Sequence, residues 1–303
     1  MKNKVVIIGC GNVGMSYAYA LVNQKTSVNE LVLIDLDTKR IEGEVMDLNH
    51  CLAFAPSKID IKVGTYEDCS DASIVVIAAG ANQNKGETRM DLINKNSKIF
   101  KSIISSVMES GFNGIFLVAT NPLDVMTYLT WKYSNLPWQR VIGTGTSLDT
   151  ARLRYLIAEH ILVNPKNVHA YVMGEHGDSE FVPWSNANVG LQNITNFLDE
   201  DVLDKICVDV RDAAYDIIDR KGATYYGIGV CLVRITNAIL NNENTIMTVS
   251  SYDKDNDIYI SLPVVINNSG VKSQIDIELT DKERRKLNHS SQVIKEAIQK
   301  INL

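Results

Sequence analysis

Four ionisable side chains, spread over three polar segments, have the types needed to act on a small 2-oxo acid. Arg89 ends a polar loop, Asp149 and Arg152 stand three positions apart at a predicted helix start, and His176 lies in the segment GEHGD. An arginine fork binds a carboxylate, and a second cation polarises a carbonyl. A histidine transfers a proton near neutral pH when an anion orients it. The candidates are therefore Arg152 for the carboxylate, Arg89 for the carbonyl, His176 for the proton and Asp149 for orientation.

Each of these residue types also has an ordinary structural role. A single histidine is more often structural than catalytic, and an arginine three positions after an aspartate on a helix is more often one half of a surface ion pair. An arginine in a loop is usually only solvated. Residue types alone therefore leave both interpretations of these positions open.

A glycine-rich segment near the N-terminus has the GxGxxG pattern of a dinucleotide-binding turn. It contains Gly9, Gly11 and Gly14, follows an apolar run and opens a helical pattern, and Asp35 ends the next apolar run 21 residues after Gly14. Gly9 permits the tight turn, Gly11 lets a diphosphate approach the helix N-terminus, and Gly14 permits close packing. A carboxylate at Asp35 binds ribose hydroxyls and repels a 2′-phosphate, so the predicted cofactor is NAD. A glycine-rich turn without a ligand is the alternative.

The elements that must position these residues are strands and helices in alternation. Apolar runs without polar alternation predict buried parallel strands, at residues 5–8, 31–34, 74–79, 115–119 and 141–142. A helix is predicted over residues 88–109. Gly80-Ala81 and Thr120-Asn121 follow two of the strands, at the sheet edge where such folds bind ligands. The pattern predicts an α/β, Rossmann-type doubly wound parallel sheet over residues 1–143 that binds NAD.

The second half, residues 144–303, is predicted to be an α+β catalytic and substrate domain. Its predicted elements are helices over residues 147–160 and 202–241 and antiparallel strands over 245–252 and 258–266. A capping-box pattern from Thr280 to Glu283 predicts the last helix.

Composition narrows the possible partners and compartments. The net charge of −6 gives no basic excess for nucleic acid, and no window of about 18 apolar residues predicts a membrane span. The sequence enters an apolar run at once without a signal-peptide pattern. The five cysteines are odd in number and lack CxxC spacing, as expected for reduced thiols. We expect a cytoplasmic protein with neither nucleic-acid nor membrane partners.

The polar segments together resemble the L-lactate/malate dehydrogenase family. The matching segments follow one another along essentially the whole chain: GNVG, GANQNKGETRMDL, ATNPLDV, GTGTSLDTARLR, MGEHGDSE and KGATYYGI. The resemblance implies that His176 is the proton donor and acceptor and that Asp149 is its partner. It also implies that Arg152 binds the substrate carboxylate and that Arg89 contacts the reacting carbonyl.

Further site residues are expected from the resemblance alone. Asn121, whose bond to Pro122 can be cis, is expected to contact both substrate and cofactor, while Asp124 and Thr224 are expected to contact the substrate. The remaining positions expected to line the cofactor cleft are Val13, Arg40, Tyr66, Gly80, Ala81, Ser102, Ala119, Thr144 and Ile228.

The prediction of the substrate depends on Gln83. The malate branch of the family has an arginine at the matching position, which pairs with the second carboxylate of oxaloacetate. A neutral amide would leave that carboxylate unpaired and suits the methyl group of pyruvate. We therefore expect the lactate branch, which interconverts pyruvate and L-lactate. The alternatives are a malate dehydrogenase, a branched-chain 2-hydroxy-acid dehydrogenase and a silent NAD-binding scaffold, against which the catalytic side chains argue.

A second arginine–histidine pair suggests regulation. Arg154 follows Arg152 by two positions, which places the two about 200° apart on a helix. His169 precedes His176 by seven positions across a predicted strand, which places the histidines on opposite faces. A solvated arginine and a surface histidine are the alternative. In bacterial members of the family, matching positions bind fructose 1,6-bisphosphate at a subunit interface, and the resemblance also implies a homotetramer.

Overall fold

Six parallel strands form the first part of the central sheet, and they include the five predicted from apolar runs. The computed structural model describes residues 3–81 and 89–301. The strands are β1 (Lys4–Ile8), β2 (Glu30–Ile34), β3 (Asp60–Val63), β4 (Ile74–Ile77), β5 (Ile115–Val118) and β6 (Val141–Gly143). They lie in the order β6-β5-β4-β1-β2-β3. The edge strand β3, mostly exposed, was not predicted because it has no continuous apolar run.

Helices cover both faces of these strands. They are α1 (Asn12–Asn23), α2 (Thr38–Cys51), α3 (Arg89–Glu109) and α4 (Leu123–Ser134). Val5 and Ile7 of β1 pack in one hydrophobic cluster with α1 and α2, while Val6 and Ile8 pack in another with Phe100 of α3. Successive residues of a strand point to opposite faces, so a strand covered on both sides is apolar throughout. The predicted doubly wound α/β sheet is confirmed.

The second half adds helices and antiparallel strands. The helices are α5 (Ser147–Ile161), α6 (Glu200–Lys221), α7 (Tyr226–Leu240) and α8 (Asp281–Gln299). The strands are β7 (Val168–His169), β8 (Asn188–Val189), β9 (Gln192–Asn193), β10 (Thr245–Asp253), β11 (Ile258–Asn267) and β12 (Gly270–Gln274). The antiparallel pair β10–β11 and the capping box of Thr280 and Glu283 are confirmed. None of the helices within residues 3–81 and 89–301 is long and apolar enough to cross a membrane.

Two local predictions are wrong. The predicted helix over residues 202–241 is two helices, because Gly222 caps α6 in the left-handed region at φ +83° and the chain turns before α7. The strand expected to join His169 to His176 covers only Val168–His169. The alternation argument for opposite faces therefore does not extend to His176.

One antiparallel pairing joins the two halves of the chain. Ser250 of β10 pairs with Gly143 at the end of β6, so β12, β11 and β10 extend the parallel strands into one sheet. The predicted boundary between residues 143 and 144 falls at this pairing and stays a prediction.

Candidate active site

The turn between β1 and α1 leaves a helix N-terminus open. Gly9 has φ +91°, and a Cβ there would lie 2.3 Å from the backbone nitrogen of Ala79. A Cβ on Gly14 would lie 2.2 Å from the carbonyl oxygen of Gly9. In contrast, a Cβ on Gly11 would meet none of the described atoms within 4 Å, and no side chain caps α1 there. The first N–H groups of α1 are therefore available to an anion such as a diphosphate.

Asp35, immediately after β2, is held as a carboxylate beside this turn. Its Oδ2 accepts a hydrogen bond from the backbone N–H of Cys10 at 2.7 Å, and its Oδ1 accepts one from Asp37 at 3.1 Å. Arg40 lies 3.1 Å from Oδ2. Burial opposes the charge, but the two N–H groups and the guanidinium together lower the pKa of Asp35. The ionised carboxylate fits the predicted ribose site, and the open turn fits the diphosphate of NAD.

The carboxyl ends of β4 and β5 are tied together by a buried asparagine that the sequence analysis did not identify. Asn96 of α3 accepts a hydrogen bond from the N–H of Ala81 at 2.8 Å and donates one to the carbonyl of Asn121 at 3.2 Å. The bond from Asn121 to Pro122 is cis, as the resemblance implied. A polar residue three positions after Ile93 on the apolar stripe of α3 was the available signal.

Asp149 joins His176 to Arg152. The Nδ1 of His176 lies 2.8 Å from Oδ2 of Asp149, and Nη1 of Arg152 donates a hydrogen bond at 2.8 Å to Oδ1. Asp149 and Arg152 stand three residues apart in the first turns of α5, whereas His176 comes from the segment after β7. The Asp149 side chain is 3% exposed and that of His176 is 26% exposed, so the histidine alone of this pair faces outward.

The electrostatics of this pair favour a charged histidine. Burial disfavours the imidazolium, but the acidic groups around it, Asp149 first and then Glu180 and Asp124, together outweigh burial and raise the pKa of His176 to about 9. Burial also opposes ionisation of Asp149, yet His176 and Arg152 together lower the pKa of that carboxyl. The arrangement therefore provides a proton donor at neutral pH that is oriented by a buried anion.

Asp124, at the start of α4, holds the backbone of His176 by a hydrogen bond. Its Oδ2 accepts a hydrogen bond from the backbone N–H of His176 at 2.8 Å, and its Oδ1 accepts one from the hydroxyl of Ser250 at 2.6 Å. The residue is 2% exposed. Burial raises the pKa of Asp124 to about 6 despite these two hydrogen bonds. Both oxygens are engaged within the protein, and the expected contact of Asp124 with substrate stays a prediction.

Glu180 is an acid close to the catalytic pair that the sequence analysis did not single out. One of its carboxylate oxygens, one of Asp149 and a ring nitrogen of His176 lie within 4.8 Å of one another. Burial, and secondly the charge of Asp149, raise the pKa of Glu180 to about 9. Its position in the segment MGEHGDSE gave no signal, because Asp149, the carboxylate that it approaches, comes from α5.

The other expected site residues lie on elements of both halves of the chain. Half-buried Thr224 is between α6 and α7, and Gly80 follows β4. Buried Thr144 follows β6, and its N–H donates to the carbonyl of Val118. The remaining cofactor-cleft positions are Val13, Ala119 and Ile228, which pack partly buried against the core, half-buried Tyr66 and exposed Ser102. Gln83 and the side chain of Arg89 lie outside the described residues.

The second arginine–histidine pair lies at α5 and β7. The Nε of Arg154 donates a hydrogen bond at 3.0 Å to the carbonyl of Ala170, and its guanidinium lies 4.8 Å from the ring centre of Tyr171. His169 is the exposed residue of β7, immediately before Ala170. Arg152, by contrast, reaches Asp149. The two arginines of α5 thus contact different parts of the protein.

Comparison with known proteins gives a consistent family match. Residues 3–143 match the family model described as lactate/malate dehydrogenase, NAD binding domain. Residues 146–302 match that of the lactate/malate dehydrogenase, alpha/beta C-terminal domain. The chain is similar to L-lactate dehydrogenase 1 of Bacillus cereus, with 52% identity over 306 residues that cover 98% of this chain and 97% of that protein.

Solved structures agree. A lactate dehydrogenase from a Medee basin deep-sea metagenome library superposes with a TM-score of 0.97 at 53% identity over 100% of both chains. The minor L-lactate dehydrogenase of Enterococcus mundtii, in its ligands-bound form, gives a TM-score of 0.97 at 45% identity over 100% of this chain and 99% of that one.

Proposed function

The chain belongs to the lactate/malate dehydrogenase family, and from that membership and the site geometry we propose that it interconverts pyruvate and L-lactate. Its activity is that of an NAD-dependent L-lactate dehydrogenase, an oxidoreductase. The observation that carries the proposed roles is the chain of hydrogen bonds from His176 through Asp149 to Arg152.

His176 is the proton donor for pyruvate reduction and the acceptor for lactate oxidation. Asp149 fixes the ring because it holds Nδ1, which leaves Nε2 to face the substrate oxygen. The raised pKa of His176 keeps the donor protonated at neutral pH. Arg152 presents its planar fork to the substrate carboxylate. Arg89 contacts the reacting carbonyl, a role that rests on its place in the sequence.

NAD supplies the hydride acceptor, and in its reduced form the hydride donor, when it is bound. The open N-terminus of α1 at Gly11 holds its diphosphate, and Asp35 holds the adenosine ribose. Thr144 and Ile228 wall the nicotinamide side, Thr224 walls the substrate side, and Asn121 contacts both. Residues 1–143 thus carry the cofactor, and residues 144–303 carry most of the catalytic groups.

Gln83 makes pyruvate the preferred substrate. Its neutral amide offers no cation to the second carboxylate of oxaloacetate, and an unpaired charge in a desolvated site is unfavourable. The test is the loss of NADH absorbance with pyruvate, with oxaloacetate and with a branched 2-oxo acid. Preference for pyruvate supports the proposal. Preference for oxaloacetate would make this a malate dehydrogenase, and absence of turnover with all three would leave a silent scaffold.

Self-association and an effector site are the finer parts of the proposal. Tyr19 of α1 and Tyr226 and Val230 of α7 line one groove and are 55%, 69% and 50% exposed. Apolar side chains grouped in this way are buried by association, and we place one subunit interface of a homotetramer there. Arg154 and His169 form the effector site for fructose 1,6-bisphosphate, and the protein works in the cytoplasm. Light scattering with and without the bisphosphate tests the assembly.

A further inference from the structure

Glu180 lies at the proton-transfer pair without an ionic partner of its own among the described side chains. Its carboxylate oxygen is within 4.8 Å of Asp149 and of a ring nitrogen of His176. Both cations nearest to it, Arg152 and His176, are hydrogen bonded to Asp149 instead. Two carboxyl groups at this spacing in a partly desolvated site resist simultaneous ionisation.

Charged groups face Glu180 from each element packed around it. Asp149 and Arg152 come from α5, and His176 and Asp178 come from its own segment. Glu180 also lines a cavity of about 270 Å³ together with residues of its own segment, of α6 and of α8. The titratable groups of that lining from the two helices are Cys207, Arg211, Lys286 and His289. Arg211 is paired with Asp212 at 2.7 Å.

The charge of the site depends on whether Glu180 holds its proton. With Glu180 neutral, Arg152 and His176 exceed Asp149 by one positive charge within this hydrogen-bonded group, which matches one substrate carboxylate. The anion of Asp124 lies outside the group, where it holds the backbone N–H of His176. With Glu180 ionised, the excess disappears before the substrate arrives. Burial and the Asp149 charge raise the pKa of Glu180 to about 9, so the first condition holds at neutral pH.

We propose that Glu180 is a positioning residue that, in its protonated form, leaves the Asp149–His176–Arg152 centre with one net positive charge for a monocarboxylate substrate. The inference rests on the proposed function and extends it, because it assigns the alkaline loss of pyruvate binding to a second group besides His176. Ionisation of Glu180 acts through its neighbours and raises the KM for pyruvate more than it lowers kcat.

The test is the pH profile of kcat/KM for pyruvate in wild type and in Glu180→Gln. In the pH range where Glu180 ionises, wild type is expected to lose kcat/KM more steeply than about tenfold per pH unit because two groups ionise, and the variant about tenfold because only His176 remains. Glu159→Gln, which removes an exposed acid of α5, is expected to keep the wild-type profile. Superposable profiles for wild type and Glu180→Gln overturn the inference.

A second variant and a direct measurement secure the result. Glu180→Ser removes the carboxyl without an amide and is expected to give the same one-proton profile. Difference infrared titration of wild type is expected to show one carboxyl losing its proton above neutral pH, and either variant is expected to lack this signal. A signal that persists in both variants, or none in wild type, refutes the role of Glu180. If wild type fails to reduce pyruvate at any pH, the proposed function fails instead.

Discussion

Asp149 contacts His176 and Arg152 through different oxygens, and its Oδ2 lies 2.8 Å from Nδ1 of the histidine. The two residues are 27 positions apart and come from different elements. One buried carboxylate thereby sets the position of both the proton donor and the carboxylate-binding cation. A displacement of the start of α5 would therefore disturb proton transfer and substrate binding together.

Replacement of His176 by asparagine is expected to lower kcat for pyruvate reduction about 10²-fold or more, because the amide cannot act as a general acid. Arg152→Lys is the matched comparison. It retains the charge but loses the planar fork, so it is expected to raise KM for pyruvate more than it lowers kcat. Both quantities follow from NADH absorbance. Near-normal turnover in His176→Asn would remove the histidine from the mechanism.

Asp124→Asn is expected to change how stability depends on pH. The pKa of Asp124 is raised from 3.8 to about 6 in the folded protein. A raised carboxyl pKa contributes stability below the unfolded value, and that contribution is lost as pH rises through the folded value. The amide does not ionise, so the free energy of unfolding of the variant should gain about 2 kcal/mol relative to wild type between about pH 4 and pH 7.

Urea unfolding at the two pH values measures this difference. Asp219→Asn on the exposed side of α6 is the control and should show no such gain. If the difference in free energy of unfolding between Asp124→Asn and wild type is the same at both pH values, burial does not destabilise the ionised form of Asp124.

Gln83→Arg is expected to shift substrate preference toward oxaloacetate. Wild type should favour pyruvate in kcat/KM by at least about 10²-fold, since the second carboxylate of oxaloacetate lacks a partner. The arginine supplies that partner and should shrink the ratio. Gln83→Leu removes the amide without adding a charge, and it should weaken oxaloacetate turnover. This variant therefore separates the effect of the new charge from that of losing the amide. A ratio unchanged by the arginine would mean that another residue selects the substrate.

Asp35→Ser is expected to narrow the gap between NADH and NADPH, because it removes the carboxylate that repels a 2′-phosphate. Arg40, now 3.1 Å from Asp35, would be released toward the same phosphate. The ratio of kcat/KM values for the two cofactors is the measurement, and Asp37→Ser is the nearby control. Equal use of both cofactors by wild type would leave the Asp35 argument without support.

Arg154→Gln is expected to abolish the response to fructose 1,6-bisphosphate. In wild type the effector should lower KM for pyruvate. Pyruvate saturation with and without the effector measures this change. Wild type that is indifferent to the bisphosphate, or a variant that responds like wild type, rules out this site.

Local patterns predicted the parts of the molecule that depend on neighbours in sequence. The turn at Gly9–Gly14 and the buried strands follow from backbone sterics and from continuous apolar runs. The break at Gly222 was missed because the helical spacing continues on both sides of it. Only one residue, the left-handed C-cap Gly222, marks the end of the helix, and the regular spacing of apolar residues on both sides of it suggests a continuous helix.

Residues that depend on distant partners were harder to predict. Ser250 and Glu180 are polar residues of ordinary type in their own segments, and only the fold brings them to Asp124 and Asp149. The resemblance supplied Asp149 and His176 as a pair, but it did not supply the hydrogen bond from the His176 backbone to Asp124.

The pairing of Ser250 with Gly143 restricts how this chain can be recombined with its relatives. A chimaera that exchanges residues 1–143 for those of another family member would separate β6 from the β10 that evolved beside it. Ser250 also donates to Asp124, which holds the backbone of His176. A mismatch at the pairing of β6 with β10 would therefore misplace the catalytic histidine even in a chimaera that folds. A crossover after β12, which keeps residues 143 and 250 and the paired strands β10, β11 and β12 from one parent, is the safer design.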